Sequence, residues 1–410
     1  MRVAVIAPRA AAPCNRGWSV RAVNLYRHLS ARHEVRQLSQ LGLTSGFPGL
    51  RRETWITPTY RERYLRHPLA FAAAAVGELA WPASPVASGL GLRLARPRAL
   101  RELLAWADVS LVEFPWQFAE CARTRPDALL VYSSCNVEAL KFASYAQAQG
   151  VWPERSRWLD TIVRMEAAAV RRADLVLAVS AEERLEFVRR YGADPERVVE
   201  VPNGADTERY APTPPALRAL RKRELGLPSR PTVLFMGTTA PPNAFGWRLL
   251  RRVAAASDRF TFLVVGPVAR PERTGSLVAT GRVPDILPYL QAADLAVCPI
   301  EHGAGTKIKL WESLAAGLPT VASSESLART HLEDGRHLLV ADSTEPALLA
   351  ALTRLTDDPA LAHTLATEAR HHLVHHHDWR HSAHTLETAL HTLLERGTAG
   401  RAPSLAAAGS

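Results

Sequence analysis

Several things are scarce or missing in this 410-residue sequence. There are four cysteines, Cys14, Cys121, Cys135 and Cys298, far apart and with no CxxC pair. That pattern argues against a zinc site or a disulfide framework and fits a reducing cytosol. No secretory leader is read at the start: the apolar residues 1–7 stop at Pro8 and Arg9, too short for a signal core. No uninterrupted membrane span is present either. The most apolar stretch, Pro68–Leu92, is broken by Glu78, Pro82 and Pro85, short of the ~20 residues a spanning helix needs. The loop after the first strand, from Pro8 to Gly17, has no GxGxxG, which weakens a nucleotide-dependent dehydrogenase. Lysine occurs only at positions 141, 222, 307 and 309, although the net charge is +10; the remaining basic residues are arginine.

The length is too great for one ordinary core, so two domains are expected. Apolar residues make up 47% and charged residues 22%, a globular composition. The positive charge implies attraction to anions, but no nucleic-acid-binding motif accompanies it. The run Tyr60-Arg-Glu-Arg-Tyr-Leu-Arg66 reads as a solvated arginine-rich face, or alternatively as a contact with an anionic membrane surface. Pro68–Leu92 has a parallel pair of readings: a buried helix and loop, or a patch that touches lipid.

Residues 2–7, 34–38, 108–113, 128–133 and 174–180 read as strands, with helices over about 19–30 and 155–172. Alternating strands and helices imply a parallel sheet covered on both faces. Residues 202–231 interrupt this with prolines and a charged helix. Alternation then restarts, with strands at 232–236, 260–265, 276–280, 295–299, 319–323 and 338–341. The sequence is therefore expected to be α/β, with two Rossmann-like doubly wound domains facing an interdomain cleft. The expected division is an N-terminal domain over 1–205, a hinge over 206–230 and a second domain over 231–375. A last helix over 376–396 returns toward the first domain, and a disordered tail covers 397–410. In such units ligands gather at the carboxyl ends of the strands.

The segment Glu301-His-Gly-Ala-Gly-Thr-Lys-Ile-Lys-Leu-Trp-Glu312 carries the most chemistry. Gly303 and Gly305 allow a tight turn and close backbone approach. A helix is expected to start near Thr306, where free amides and the helix dipole favour an anion. Lys307 and Lys309 then fall in its first turn, where a cation opposes the dipole. A bound diphosphate would reverse that cost, and locally disfavoured choices tend to mark functional sites. Glu312, three residues after Lys309, shares its face, with Ile308, Trp311 and Ala315 on the opposite stripe. An ionised carboxylate can accept from both hydroxyls of a ribose. The plain alternative is an amphipathic helix with surface lysines and a Glu312–Lys309 pair.

These residues resemble the GT-B retaining enzymes of glycosyltransferase family 4 (glycosyl transferases group 1). The pattern Gly303-x-Gly305-Thr306-Lys307-x-Lys309-x-x-Glu312-x-x-Ala315-x-Gly317-x-Pro319 is similar to that family's donor-binding motif. Gly17 with Arg21 resembles the loop near the transferred sugar, and Asn136-Val137-Glu138 the His-Asn-Val-Glu segment. Glu166, Asp174, Ser180, Pro202-Asn203-Gly204-Ala205-Asp206, Gly237 with Pro242-Asn243, and Gly281-Arg282-Val283 with Asp285 follow in the family's order. Three positions depart. Ala304 stands where the family has a second acid, Cys135 where it has a histidine near the sugar, and Pro242 where a lysine is common.

The resemblance implies transfer of a sugar from a nucleoside-diphosphate-sugar to an acceptor with retention, in the cytoplasm or at the inner face of the membrane. Catalytic candidates are Gly17, Asn136, Lys309 and Glu312. Ala304, Gly305, Thr306, Lys307 and Lys309 would hold the diphosphate; Glu312, Arg282, Val283 and Gly237 the nucleoside. No metal or other cofactor is expected, since no Asp-x-Asp occurs. The acceptor is open among lipid, natural product and glycan, and nucleic acid is not an expected partner. An epimerase or phosphorylase of the same fold, or a non-catalytic sugar-nucleotide binder, remains as an alternative. The histidines at 371, 372, 375, 376 and 377 have spacing that could hold a metal but read as a solvated helix end.

Overall fold

The computed structural model describes residues 1–12, 14, 16–43, 51–80, 86–148, 150, 157–303 and 307–399. The chain divides into two compact units: residues 1–139, 157–201 and 382 onward form the first, and 140–156 with 202–381 the second.

The first unit holds strands β1 (Arg2–Ala7), β2 (Glu34–Gln40), β3 (Glu53–Thr57), β4 (Tyr60–Leu65), β5 (Val109–Glu113), β6 (Leu130–Ser133), β7 (Leu175–Ala178) and β8 (Val198–Glu200). They form one sheet in the order β3-β4-β2-β1-β5-β6-β7-β8. All neighbours are parallel except the β3–β4 hairpin. Its helices are α1 (Gly17–Leu29), α2 (Pro68–Ala80), α3 (Ser88–Ala95), α4 (Arg98–Trp106), α5 (Phe118–Thr124), the start of α6 (Glu138–Ala148), α7 (Arg157–Arg172) and α8 (Ala181–Tyr191). Val3, Val5, Leu111, Val131 and Leu177 of the sheet pack against Leu25, Tyr26 and Leu29 of α1.

The second unit contains α9 (Pro215–Glu224), β9 (Thr232–Met236), α10 (Pro241–Ala256), β10 (Thr261–Val265), β11 (Glu272–Thr274), β12 (Leu277–Ala279), α11 (Leu287–Ala292) and β13 (Leu295–Cys298). It continues through α12 (Ile308–Ala315), β14 (Thr320–Ala322), α13 (Ser324–Leu327), β15 (Leu339–Val340), α14 (Glu345–Asp357) and α15 (Pro359–His376). The sheet order is β11-β12-β10-β9-β13-β14-β15. Val233 and Phe235 of β9 enter one core and Leu234 and Met236 the other. A parallel strand buried on both faces reads as a continuous apolar run, which is why Thr232–Met236 was legible.

Helix α16 (Trp379–Ala399) begins in the second unit and continues in the first. Ala383, Leu386 and Leu390 enter the first unit's core, and Glu387 accepts from Arg32 at 3.0 Å and His33 at 2.8 Å. Because α16 runs to Ala399, the expected disorder from 397 is corrected for its first three residues; 400–410 lie outside the described residues.

Two surface readings also change. Tyr60–Leu65 is an inner strand, and the arginine-rich face is only its outward side, with Arg63 and the following Arg66 exposed. Its alternation buries Tyr60, Glu62 and Tyr64, and Glu62 accepts from Ser39 at 2.5 Å and the Ala11 amide at 2.7 Å. The histidine-rich stretch is not wholly solvated. His377 is buried and stacks on Trp311 at 4.2 Å between centroids, and its Nδ1 donates to the Asn203 carbonyl at 3.1 Å. Burial lowers His372 and His377 to about 4. Among the described residues this stretch does not gather three ligating groups around one point.

Candidate active site

The second unit assembles the most distinctive chemistry at the carboxyl ends of β12, β10, β9 and β13, which are sheet neighbours. Gly237 follows β9. A Cβ there would lie 2.7 Å from Val268 Cγ1, and one on Gly266 would lie 2.2 Å from the Gly237 carbonyl oxygen. The two loops therefore touch through backbone, and only glycine permits that approach. The Gly266 amide donates to the Gly281 carbonyl at 2.9 Å. Exposed Arg282 and half-buried Val283 come next, at the end of β12.

Helices α10 and α12 start beside each other at the ends of β9 and β13. Lys309, the second residue of α12, donates to Asn243 Oδ1 in the first turn of α10. Asn243 donates in turn to Thr238 Oγ1 at 2.9 Å. The Lys309 ammonium also lies over the Phe235 ring, 5.3 Å from its centroid. Burial pulls Lys309 down to about 8, and among the described residues no carboxylate lies within ion-pair distance of it. An enclosed cation without a paired acid is costly, so the arrangement favours an incoming anion.

Lys307 differs from the expectation. It is the residue before the helix, with extended backbone, rather than part of the first turn. Its ammonium lies 3.6 Å from Glu325, which Arg329 also approaches at 3.2 Å. A Cβ on Gly303 would sit 3.6 Å from the Lys307 ammonium and 3.8 Å from Pro242. Gly303 has φ +147, a conformation glycine adopts freely. Ala304, Gly305 and Thr306 lie outside the described residues.

Helix α12 is not amphipathic in the expected sense. Leu310, Trp311, Leu314 and Ala315 all enter the core, whereas Ile308 is only half-buried. Glu312 is 8% exposed, so it is no surface glutamate, and it does not form an ion pair with Lys309. Burial raises its carboxyl to about 7 against the pull of Arg209 and Lys309. Among the described residues nothing donates a hydrogen bond to it. Arg209 itself bonds Asp285 at 2.8 Å. Burial would raise Asp285, but the Leu287 amide and Arg209 outweigh it and hold the group below its ordinary value. Arg209 carried no sequence signal, because its place beside Glu312 depends on the fold of the 202–210 turn. That turn is docked by Arg370, which donates to the carbonyls of Thr207, Tyr210 and Ala315.

The first unit places its candidates at the ends of β1 and β6, the strands flanking β5. Gly17 is the exposed first residue of α1. Arg21 is buried, and it donates to the Val201 carbonyl at 2.8 Å. Asn136 is half-buried in the turn between β6 and α6, where its amide donates to Ser134 Oγ at 3.2 Å. The neighbouring Cys135 thiol donates to Glu113 Oε2 at 3.7 Å. Glu113 also accepts from Tyr26 and from Ser133 at 3.1 Å. Glu166 holds this turn from beneath. It accepts from the amides of Glu138 and Ala139 and from the hydroxyls of Tyr132 and Tyr191, at 2.7–3.2 Å. Burial raises it to about 7. Glu166 is thus a positioning group at the start of α6.

Comparisons with known proteins bear on the family and the fold. The family described as Glycosyltransferase Family 4 matches residues 16–209, and Glycosyl transferases group 1 matches residues 230–358. A D-inositol 3-phosphate glycosyltransferase of Thermomonospora curvata is 32% identical over 280 residues, 61% of this chain and 63% of that one. The chain thus spans less than two thirds of the length of the curated relatives it matches. Among solved structures, the sucrose-phosphate synthase of Thermosynechococcus elongatus aligns with a TM-score of 0.77 at 17% identity, over 97% of this chain and 100% of that one. Anabaena Alr3699/HepE, solved in complex with UDP and glucose, aligns with a TM-score of 0.68 at 15% identity, over 95% and 99%. With both halves matched in order and the two parallel sheets in place, the chain belongs to the GT-B glycosyltransferases of the family 4 type.

Proposed function

We propose that the chain transfers a sugar from a nucleoside-diphosphate-sugar to an acceptor hydroxyl with retention of configuration. One observation carries the reading: Lys309 is an enclosed cation with no paired acid among the described residues, one helical turn from a buried carboxyl that receives no hydrogen bond there. A nucleoside diphosphate supplies what each lacks. Its phosphates pair with Lys309 and Lys307, and its ribose hydroxyls donate to Glu312. Arg282 and Val283 flank the base, beside the glycine turn at Gly237.

On this reading the bond from the anomeric carbon to the phosphate oxygen breaks as the acceptor oxygen bonds to the same face. The acceptor proton passes to the departing phosphate oxygen. The chain's contribution is electrostatic: fixed positive groups meet the charge that develops on the leaving diphosphate, and Asn136 and the start of α1 at Gly17 hold the sugar. The diphosphate needs no metal in this scheme, consistent with the lack of an Asp-x-Asp motif. The chain works in the cytoplasm, where its four unbridged cysteines stay reduced, and reaches the inner face of the membrane. The names of its relatives make a phosphorylated polyol the first acceptor to test.

The test is a thermal-shift and calorimetric screen against nucleoside diphosphates and their sugars. Binding that is lost in Lys309→Ala and Glu312→Ala supports the proposal. Equal binding by both variants and the parent would remove it. Isomerised donor in the absence of acceptor would point to an epimerase instead.

A further inference from the structure

Helix α2 is inside out. Its buried face consists of Ala70, Ala74, Gly77 and Glu78, while Leu69, Val76 and Leu79 are 50%, 64% and 75% exposed. With Ala72, these exposed positions recur at i, i+3, i+7 and i+10, one continuous stripe of the helix. A helix on an ordinary soluble surface does the opposite and turns its large apolar side chains inward. The small residues inside are already used. A Cβ on Gly77 would lie 3.0 Å from Ala87 Cβ, and one on Gly91 would lie 3.1 Å from Ala70 Cα. Thus α2 and α3 are in backbone-close contact, and α2 has no freedom to roll its leucines inward. Glu78 is locked inside by Arg9 at 3.1 Å. Helix α3 repeats the pattern, with Leu90 and Leu94 more than half exposed beside exposed Arg93.

The surrounding charge selects the occupant. From Arg63 to Arg101 the only acidic residue is Glu78, and it is buried. The same span contains Arg63, Arg66, Arg93, Arg96, Arg98 and Arg101, of which Arg98 already pairs with half-exposed Glu102 at 2.6 Å. Arg93 and Arg96 are exposed and have no carboxylate partner among the described residues. Apolar side chains beside the exposed cations Arg93 and Arg96, neither of them paired with a carboxylate among the described residues, match an anionic lipid surface, where the apolar face sinks to the headgroup–acyl boundary and the cations meet lipid phosphates. No described helix is long and apolar enough to cross a membrane, so the contact is one of lying on the surface.

We propose that the exposed face of α2 and α3 docks the chain on an anionic phospholipid bilayer. This deepens the functional reading by locating the enzyme where a lipid-linked or membrane-adjacent acceptor is presented. Vesicle binding and nucleotide binding are measured separately, so either can fail alone.

The experiment is sedimentation of the full chain with vesicles of phosphatidylglycerol and phosphatidylcholine in equal parts, and with vesicles of phosphatidylcholine alone. The parent partitions onto the anionic vesicles and loses binding as salt is raised. The variant Leu69→Gln/Val76→Gln/Leu79→Gln binds at least about tenfold less, and Arg93→Gln/Arg96→Asn loses about fivefold per charge. All variants keep the parent's nucleotide affinity. Leu79→Gln alone alters a side chain that is three-quarters exposed, so it reads out docking even if the triple variant folds poorly. Equal partition of parent and Leu79→Gln would overturn the proposal. So would salt-independent binding to neutral vesicles, or a dimer by light scattering that the triple variant converts to monomer, which would make the face a self-association surface.

Discussion

Replacing Glu312 by glutamine is expected to make the protein more stable and a worse binder. The Glu312 carboxyl ionises near 7 when folded, against an ordinary 4.5, because burial outweighs the help of Arg209 and Lys309. The folded state therefore holds its proton to higher pH than the unfolded chain does. Stability falls as pH rises from 4.5 to about 7, and the full cost, about 3 kcal/mol, is present at pH 8. Glutamine has nearly the same shape and no charge to bury, so Glu312→Gln recovers that energy. In a unit of this size it raises the melting temperature at pH 8 by about 6 °C or more. At pH 4 both proteins are neutral at this position and the gain disappears. The nucleotide tells the opposite story. Its ribose loses a charged acceptor, worth about 1.5–3 kcal/mol per hydrogen bond, so Kd rises at least about tenfold. Melting curves from pH 4 to 9 and calorimetric titration with a nucleoside diphosphate measure both. A melting gain that persists at pH 4, or no gain at pH 8, would refute the burial argument. An unchanged Kd would refute the assignment of Glu312 to the ribose.

Three further expectations test separate parts of the structure. Lys309→Ala should weaken diphosphate binding by about tenfold to a hundredfold and leave the affinity for the nucleoside alone nearly intact; equal loss for both would mean that Lys309 only props the Asn243 contact. Gly204→Ala should destabilise by about 1–3 kcal/mol or more, since its Cβ would lie 2.2 Å from the His377 carbonyl oxygen; an unchanged denaturation midpoint would show that the turn relaxes freely. His377 is held near 4 by burial, below its ordinary 6.5, so its contribution is complete above pH 6.5 and is lost as pH falls toward 4. His377→Phe, which keeps a ring against Trp311, should therefore show a flatter loss of stability between pH 6.5 and 4, measured by urea denaturation; an identical slope would place the titration elsewhere.

The α/β class was readable because parallel strands covered on both faces appear as apolar runs, and Thr232–Met236 and Leu295–Cys298 are such runs. Strand β4 was hidden because its inward residues include Glu62 and two tyrosines, whose polar atoms are satisfied by Ser39, the Ala11 amide, Gln37 and Thr54. No local pattern announces such a partnership. The position of Lys307 was misjudged by one cap: it precedes the helix, which begins at Ile308. The last helix was legible as a helix, but not that it would run to Ala399.

By itself the sequence determined which residue types could meet an anion: two lysines and a glutamate at fixed spacing around a glycine turn, after a strand. Spacing along a helix is a local property, so it survives without knowledge of the fold. Only the tertiary structure decided that Lys309 is enclosed against Phe235 and Asn243, that Glu312 is buried near Arg209, and that α2 turns its leucines outward. Those are properties of neighbours distant in the chain. Burial, which sets the cost of each charge and each exposed apolar side chain, exists only once those neighbours are in place.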